Sequence, residues 1–216
     1  MDQGLLNRAQ RIIAVNLALQ PQESLLVVAD DIYTFYSYQR DFVPIMSLPG
    51  MRERTVTVNS FSKNFIMTGF RVGNIVAPPD IIRAIQDINE NVAYSAPSLS
   101  QRAALHALRH RREFEGEIVE AFHRRLTYAA ERINALPHMS VRPPQGSIYL
   151  FPEIRETGLS SAEVSARLLE EAHVLALPGS AFGACGEGYL RIACTVDLKR
   201  LEEAFDRIAR MPLFQP

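Results

Sequence analysis

Five consecutive apolar residues, Leu25-Leu26-Val27-Val28-Ala29, stop at the acidic pair Asp30-Asp31. A run this short is predicted to be a strand buried in a parallel sheet. Similar runs return at Thr55-Val56-Thr57-Val58-Asn59, which leads into the polar turn Ser60-Phe61-Ser62-Lys63, and at residues 72–77, which close at Pro78-Pro79. Short strands that end in polar turns, with helical segments following, constrain the chain to an α/β layered fold.

The helical signals fill in the rest. Leu5, Leu6, Ala9, Ile12, Ile13 and Leu17 fall near helical spacing over residues 5–18. Asp80 is placed to cap a helix carrying Ile81, Ile82, Ile85, Ile88 and Val92 on one face. A further helix is predicted from Ser98 to about His110, and a long one over 113–136, stopped by Pro137. Beyond it the pattern changes to short strands at 147–151, 174–177 and 189–193. Between them Ser160-Ser161-Ala162-Glu163 is a capping-box sequence opening a helix to about Ala172, and Asp197 caps a last helix with Leu198, Leu201, Phe205 and Ile208 on one face. The expected organisation is a sheet-containing part over 1–110, a connecting helix over 111–136 and a small α+β domain over 137–216.

Charge and composition remove several function classes. A formal net charge of -1 leaves no electrostatic footprint for nucleic acid. The basic run at residues 109–112 is followed at once by Glu113, Glu115 and Glu117, the pattern of a solvated helix face. No apolar run approaches the ~18 residues of a membrane helix. The two cysteines are too few for a disulfide framework or zinc site, and His106 and His110 lack a third ligand. Met1-Asp2-Gln3 does not begin a signal peptide, so a cytoplasmic protein is expected.

The chemistry concentrates in Ser60-Phe61-Ser62-Lys63-Asn64-Phe65-Ile66-Met67-Thr68-Gly69-Phe70-Arg71-Val72-Gly73. Ligands of open α/β sheets bind outside the carboxyl ends of strands, where this segment begins. Ser60 and Arg71 are suited to a phosphate, the guanidinium by a planar two-point contact. A lysine held beside that cation and partly desolvated would give up its proton more readily and attack an aldehyde as the neutral amine. The alternative from spacing alone is a polar turn with a surface lysine.

The pattern S-x-S-K-x-x-x-x-x-G-x-R-x-G resembles the cofactor-lysine signature of class I/II aminotransferases, a fold-type I pyridoxal-phosphate family of the aspartate/aromatic type. The resemblance implies that Lys63 holds pyridoxal 5'-phosphate as a Schiff base and moves the proton in catalysis. It also implies that Ser60 and Arg71 bind the phosphate, with Ser62 beside them. Asp30-Asp31-Ile32-Tyr33 is similar to the family's strand-end D-E-x-Y, making Asp30 the partner of the pyridine nitrogen and Tyr33 that of the ring oxygen. Tyr189-Leu190-Arg191-Ile192-Ala193 resembles the segment whose arginine clamps the substrate α-carboxylate, and Pro178-Gly179 and Gln145-Gly146 match the family's turns. Tyr94-Ser95-Ala96-Pro97-Ser98 resembles a loop near the active site or dimer interface.

The resemblance covers residues from about 5 to 211 and only the second part of the family's chain. The implied fold is a partial fold-type I large domain, with a mostly parallel sheet, followed by a small α+β domain. The family's N-P-x-x-P-T-G motif belongs to the preceding part, and no Asn-Pro pair occurs here. Exposed apolar sheet edges, weakened cofactor binding and doubtful turnover by the isolated chain are therefore expected. The implied function is amino-group transfer between an amino acid and a 2-oxo acid by a homodimer. The alternatives are a C–S lyase using the same residues and a non-catalytic remnant that needs an N-terminal complement.

Overall fold

Strand β1 (Val27–Asp30) lies beside β2 (Thr55–Ser60), with Val27 opposite Thr55 and Asp30 opposite Val58, in the parallel sense expected. These elements belong to a computed structural model that describes residues 25–215, so the helix expected over 5–18 lies outside the described residues. Strand β3 (Gly73–Val76) pairs with the other edge of β2 in the antiparallel sense, Ser60 opposite Gly73. The reversal has a simple cause. Only the single-turn helix α1 (Phe61–Asn64) and a 3-10 turn at Thr68–Phe70 separate β2 from β3, and a parallel connection needs a full crossover.

Strand β1 is covered on one face, where Ala29 packs with Ile45 and Met51 against Val27 and Leu48. Val28, pointing the other way, is 67% exposed, and Val76 on β3 is 46% exposed. The expectation of a strand buried on both faces is thus corrected: among the described residues β1 is a sheet edge, and Val28 leaves one of its faces largely exposed. Helix α2 (Pro79–Val92) carries the predicted apolar stripe but buries it only in part: Ile81, Ile82 and Ile85 are half-buried, and Val92 stands 78% exposed. Asp80 is not its cap. The helix opens at Pro79, whose fixed φ and missing N–H suit a first helical position, and Asp80 sits in the first turn paired with Arg83.

Helix α3 (Ser98–Arg109) presents Ala104, with Ala103 and Ala107, to Phe61, Met67 and Val72. Small side chains let this helix close over the lysine segment. Helix α4 (Arg111–Asn134) follows and ends ahead of Pro137. Arg111 pairs with Glu115 at 2.6 Å and lies over the Phe35 ring at 4.5 Å, so the basic run is neutralised locally.

The chain divides into two compact units between Ile118 and Val119, inside α4. The second unit holds a sheet of β4 (Tyr149–Leu150), β5 (Leu177–Pro178) and β6 (Leu190–Ala193), ordered β4-β6-β5 and antiparallel throughout. Helix α5 (Ser161–Ala172) begins at the predicted capping box, with the Ser160 hydroxyl and the Glu163 carboxylate each accepting the other's backbone N–H. Helix α6 (Leu198–Ile208) is capped by Asp197, whose carboxylate accepts the Arg200 N–H at 2.9 Å. Leu126, Ile133, Leu168, Leu190, Phe205 and Ile208 form the buried interior of this unit. No helix of the described residues is long and apolar enough to cross a membrane.

Candidate active site

Parallel strands carry their carboxyl ends to the same side of a sheet, and an antiparallel neighbour begins there. That edge of the first unit therefore gathers Asp30 from the end of β1, Ser60 from the end of β2 and Arg71 from the approach to β3. Ser60 caps α1, its Oγ accepting the Ser62 N–H at 3.1 Å. Lys63 follows in the same turn, half-buried. The Phe61 N–H donates to the Val72 carbonyl at 3.2 Å, which holds the Arg71 backbone beside the base of α1.

Two residues here occupy the left-handed region without being glycine, Ile66 at φ 54 and Arg71 at φ 49. Each such conformation costs about 1–3 kcal/mol and persists only where neighbours impose it. Ile66 is held by the bonds from its own N–H to the Lys63 carbonyl and from the Met67 N–H to the Phe61 carbonyl, and Arg71 is flanked by those from the Phe70 N–H to the Met67 carbonyl and from the Phe61 N–H to the Val72 carbonyl, all 3.2 Å. The Arg71 guanidinium is exposed and donates through Nη1 to the Thr68 carbonyl at 2.9 Å, its only hydrogen bond among the described residues.

Gly73 has its own reason. A Cβ there would stand 2.6 Å from the Asn59 carbonyl oxygen, which is backbone and cannot move aside cheaply. Gly73→Ala is expected to destabilise the first unit by about 1–3 kcal/mol, read as a lowered urea midpoint with an unchanged slope. The other glycine of the motif, Gly69, meets nothing within 4 Å.

The acidic pair separates into two environments. Asp30 is exposed at the strand end, whereas Asp31 is 4% exposed and neither of its carboxylate oxygens has a hydrogen-bond partner among the described residues. Burial, and secondarily the adjacent Asp30 charge, push the Asp31 carboxyl up to about 6. Tyr33 sits half-buried in the turn after β1, which closes with the Tyr36 N–H on the Tyr33 carbonyl at 3.1 Å.

Arg191 belongs to β6 in the second unit. Its guanidinium carbon lies 4.8 Å from the Tyr149 ring centroid and 4.5 Å from that of Phe182. Phe151 extends this aromatic group, stacked on Tyr189 at 5.3 Å and edge-on to Phe182 at 6.2 Å. Among the described residues no carboxylate pairs with Arg191. Rings cover the faces of the guanidinium, and its in-plane N–H groups are what remains to bind an anion.

An amine, two hydroxyls, an exposed guanidinium and a strand-end carboxylate on one sheet edge form a donor set that fits a phosphorylated aldehyde with a basic ring nitrogen. Sequence reasoning did not find Asn64, Tyr36, Tyr149 or Phe182. Each is an unremarkable letter in the chain and gains meaning from what it touches. The His106 and His110 rings lie 4.2 Å apart, tilted by 34°, and no grouping able to hold a metal occurs among the described residues.

The profile of the family described as aminotransferase class I and II matches residues 15–208. An aspartate aminotransferase of Pyrococcus abyssi is 40% identical over 193 residues, covering 88% of this chain and 49% of its own. An aromatic-amino-acid aminotransferase 2 of Thermococcus litoralis is 38% identical over 194 residues, with the same coverage of 88% and 49%. The crystal structure of an aromatic aminotransferase from Pyrococcus horikoshii superposes with a TM-score of 0.87 at 37% identity, over 94% of this chain and 54% of that one. The chain thus spans about half the length of the curated relatives it matches. Fold, motif order and these likenesses agree: the chain belongs to the class I and II aminotransferases.

Proposed function

We propose that this chain carries the lysine-bearing part of a pyridoxal-phosphate-dependent aminotransferase, which moves an amino group between an amino acid and a 2-oxo acid. Members of the family use pyridoxal phosphate. The observation that carries the reading is the gathering of Asp30, Ser60, Lys63 and Arg71 on one sheet edge by strand register. Lys63 is the residue that would hold the cofactor covalently and then take and return the proton at the substrate α-carbon. Ser60, Ser62 and Arg71 would hold its phosphate, Asp30 would keep the proton on its ring nitrogen, and Tyr33 would bond its ring oxygen. When bound, the cofactor supplies a ring that accepts negative charge from the substrate α-carbon. Arg191 would orient the substrate by its carboxylate. Aspartate or aromatic amino acids are the proposed substrates, in keeping with the names of the relatives, and a cytoplasmic homodimer is the proposed assembly. Residues up to about 110 would belong to the cofactor-binding domain, 111–136 to a connecting helix and 137–216 to the small domain.

The test is covalent capture. Purified chain mixed with pyridoxal phosphate is expected to gain a visible absorption band that borohydride fixes onto the peptide containing Lys63, and Lys63→Ala to lose both. Absence of label on the unmutated chain would overturn the proposal. In the active protein, pyruvate and ammonia as products in place of amino transfer would replace it with a C–S lyase.

A further inference from the structure

We infer that Asn64 and Tyr36 are positioning residues that fix the lysine segment against the strand-end loop carrying Asp30 and Tyr33. The inference rests on the proposed function and deepens it. A rigid cofactor ring that Lys63, Asp30 and Tyr33 would hold together would require the two loops to keep a constant separation. The structure contains a device for that.

Asn64 directly follows Lys63 and is 1% exposed, a polar side chain in the apolar setting of Phe61 and Phe65. Its Oδ1 accepts the Phe35 N–H at 3.3 Å, and its Nδ2 donates to the Thr34 Oγ1 at 2.8 Å. The Phe35 backbone N–H can only donate, so it fixes which end of the amide is oxygen. From the opposite direction Tyr36, also 1% exposed, donates its hydroxyl to the Lys63 carbonyl at 2.8 Å. Three hydrogen bonds between residues 27 to 30 positions apart thus join residues 34–36 to residues 63–64. Rings close the same seam, with Phe35 edge-on to Phe65 at 5.1 Å and Phe65 against Phe61 at 4.9 Å. Buried polar bonds of this kind specify one relative placement, because any shift leaves an amide unsatisfied in an apolar setting. Phe35 and Tyr36 follow Tyr33 within the same turn, so locking them locks the tyrosine too.

The experiment compares Tyr36→Phe, Asn64→Ala and Asn64→Asp in the full chain, each first checked for folding by far-UV circular dichroism. The first readout is the rate at which pyridoxal phosphate condenses with the Lys63 amine, releasing water, trapped by borohydride at timed intervals. The second is the pH midpoint of the visible band. Supporting groups of this kind typically matter by about 10–100-fold. Tyr36→Phe is expected to slow capture about tenfold and Asn64→Ala about a hundredfold, both with a displaced pH midpoint. Asn64→Asp is expected to recover most of the rate, because its carboxylate still accepts from Phe35 and from the Thr34 hydroxyl. Folded variants that capture at the unmutated rate with an unmoved midpoint would leave the pair purely structural and end the inference. If Asn64→Ala does not fold, Tyr36→Phe decides alone, since it keeps the ring and removes one oxygen. No capture by the unmutated chain instead removes the functional reading on which the inference stands.

Discussion

Arg191→Ala in the active protein is expected to raise KM for the amino acid on the order of a hundredfold, roughly 3 kcal/mol, with a smaller change in kcat. The reasoning starts from the aromatic faces. Tyr149 at 4.8 Å and Phe182 at 4.5 Å sandwich the guanidinium, restrict its rotation and shed water from its faces. What is left is a planar fork of N–H donors, and a carboxylate meets such a fork with two parallel bonds. Arg191→Lys should recover little, because an ammonium offers a point charge that neither stacks nor forks. Phe182→Ala should give a milder loss, since one face of the sandwich remains. The measurement is a comparison of each amino acid with the amine that lacks its α-carboxylate. The unmutated protein should discriminate strongly between them and Arg191→Ala hardly at all. An unchanged preference in Arg191→Ala would remove Arg191 from substrate binding.

The motif residues were legible because each stands at a position that topology dictates. An apolar run that ends in a polar turn marks the carboxyl end of a strand, so Asp30 and the segment from Ser60 to Gly73 could be placed before any coordinates. The capping box at Ser160 and the cap at Asp197 were legible for the same local reason, since the bonds they make span three residues. Asp80 misled because the helix starts one residue earlier, at Pro79, whose fixed φ suits the first helical position and leaves Asp80 inside the first turn. The exposure of Val28 was illegible because burial is decided by what lies across the sheet, not by the strand's own letters. The hydrogen bonds of Asn64 to Thr34 and Phe35 were illegible because their partners lie some 30 positions away. Reversal of β3 was within reach of sequence reasoning: the interval between β2 and β3 is too short for a crossover.

Asp31→Asn is expected to stabilise the chain at pH 8 and to flatten its stability between pH 4 and 6. The Asp31 carboxyl is buried, both oxygens lack a partner among the described residues, and the adjacent Asp30 adds like charge. Thr55 and Thr57, paired with Val27 and Ala29, share its sheet face by alternation, yet their buried hydroxyls are also unpartnered and do not supply the missing donor. Folded Asp31 therefore holds its proton up to about 6, whereas the unfolded chain releases it near 3.8. Between those values the folded state binds more protons, so stability falls as pH rises through the window, and the loss is complete above about pH 6. The penalty is at most about 3 kcal/mol, a large share of a marginal stability. The asparagine amide keeps the shape, carries no charge to desolvate and so escapes it. Urea midpoints of both proteins at pH 4.5 and pH 8 decide the matter. The gap in favour of Asp31→Asn should be fully open at pH 8 and shrink to about a third of that at pH 4.5, and equal gaps would mean that Asp31 finds a partner. Asp30→Asn, at the exposed neighbour, should leave the pH dependence in place and slow turnover instead, since its proposed task is to keep a proton on the cofactor ring. Two adjacent aspartates of the same charge thus separate by environment alone, one buried and felt in stability, the other exposed at the strand end and open to the proposed role.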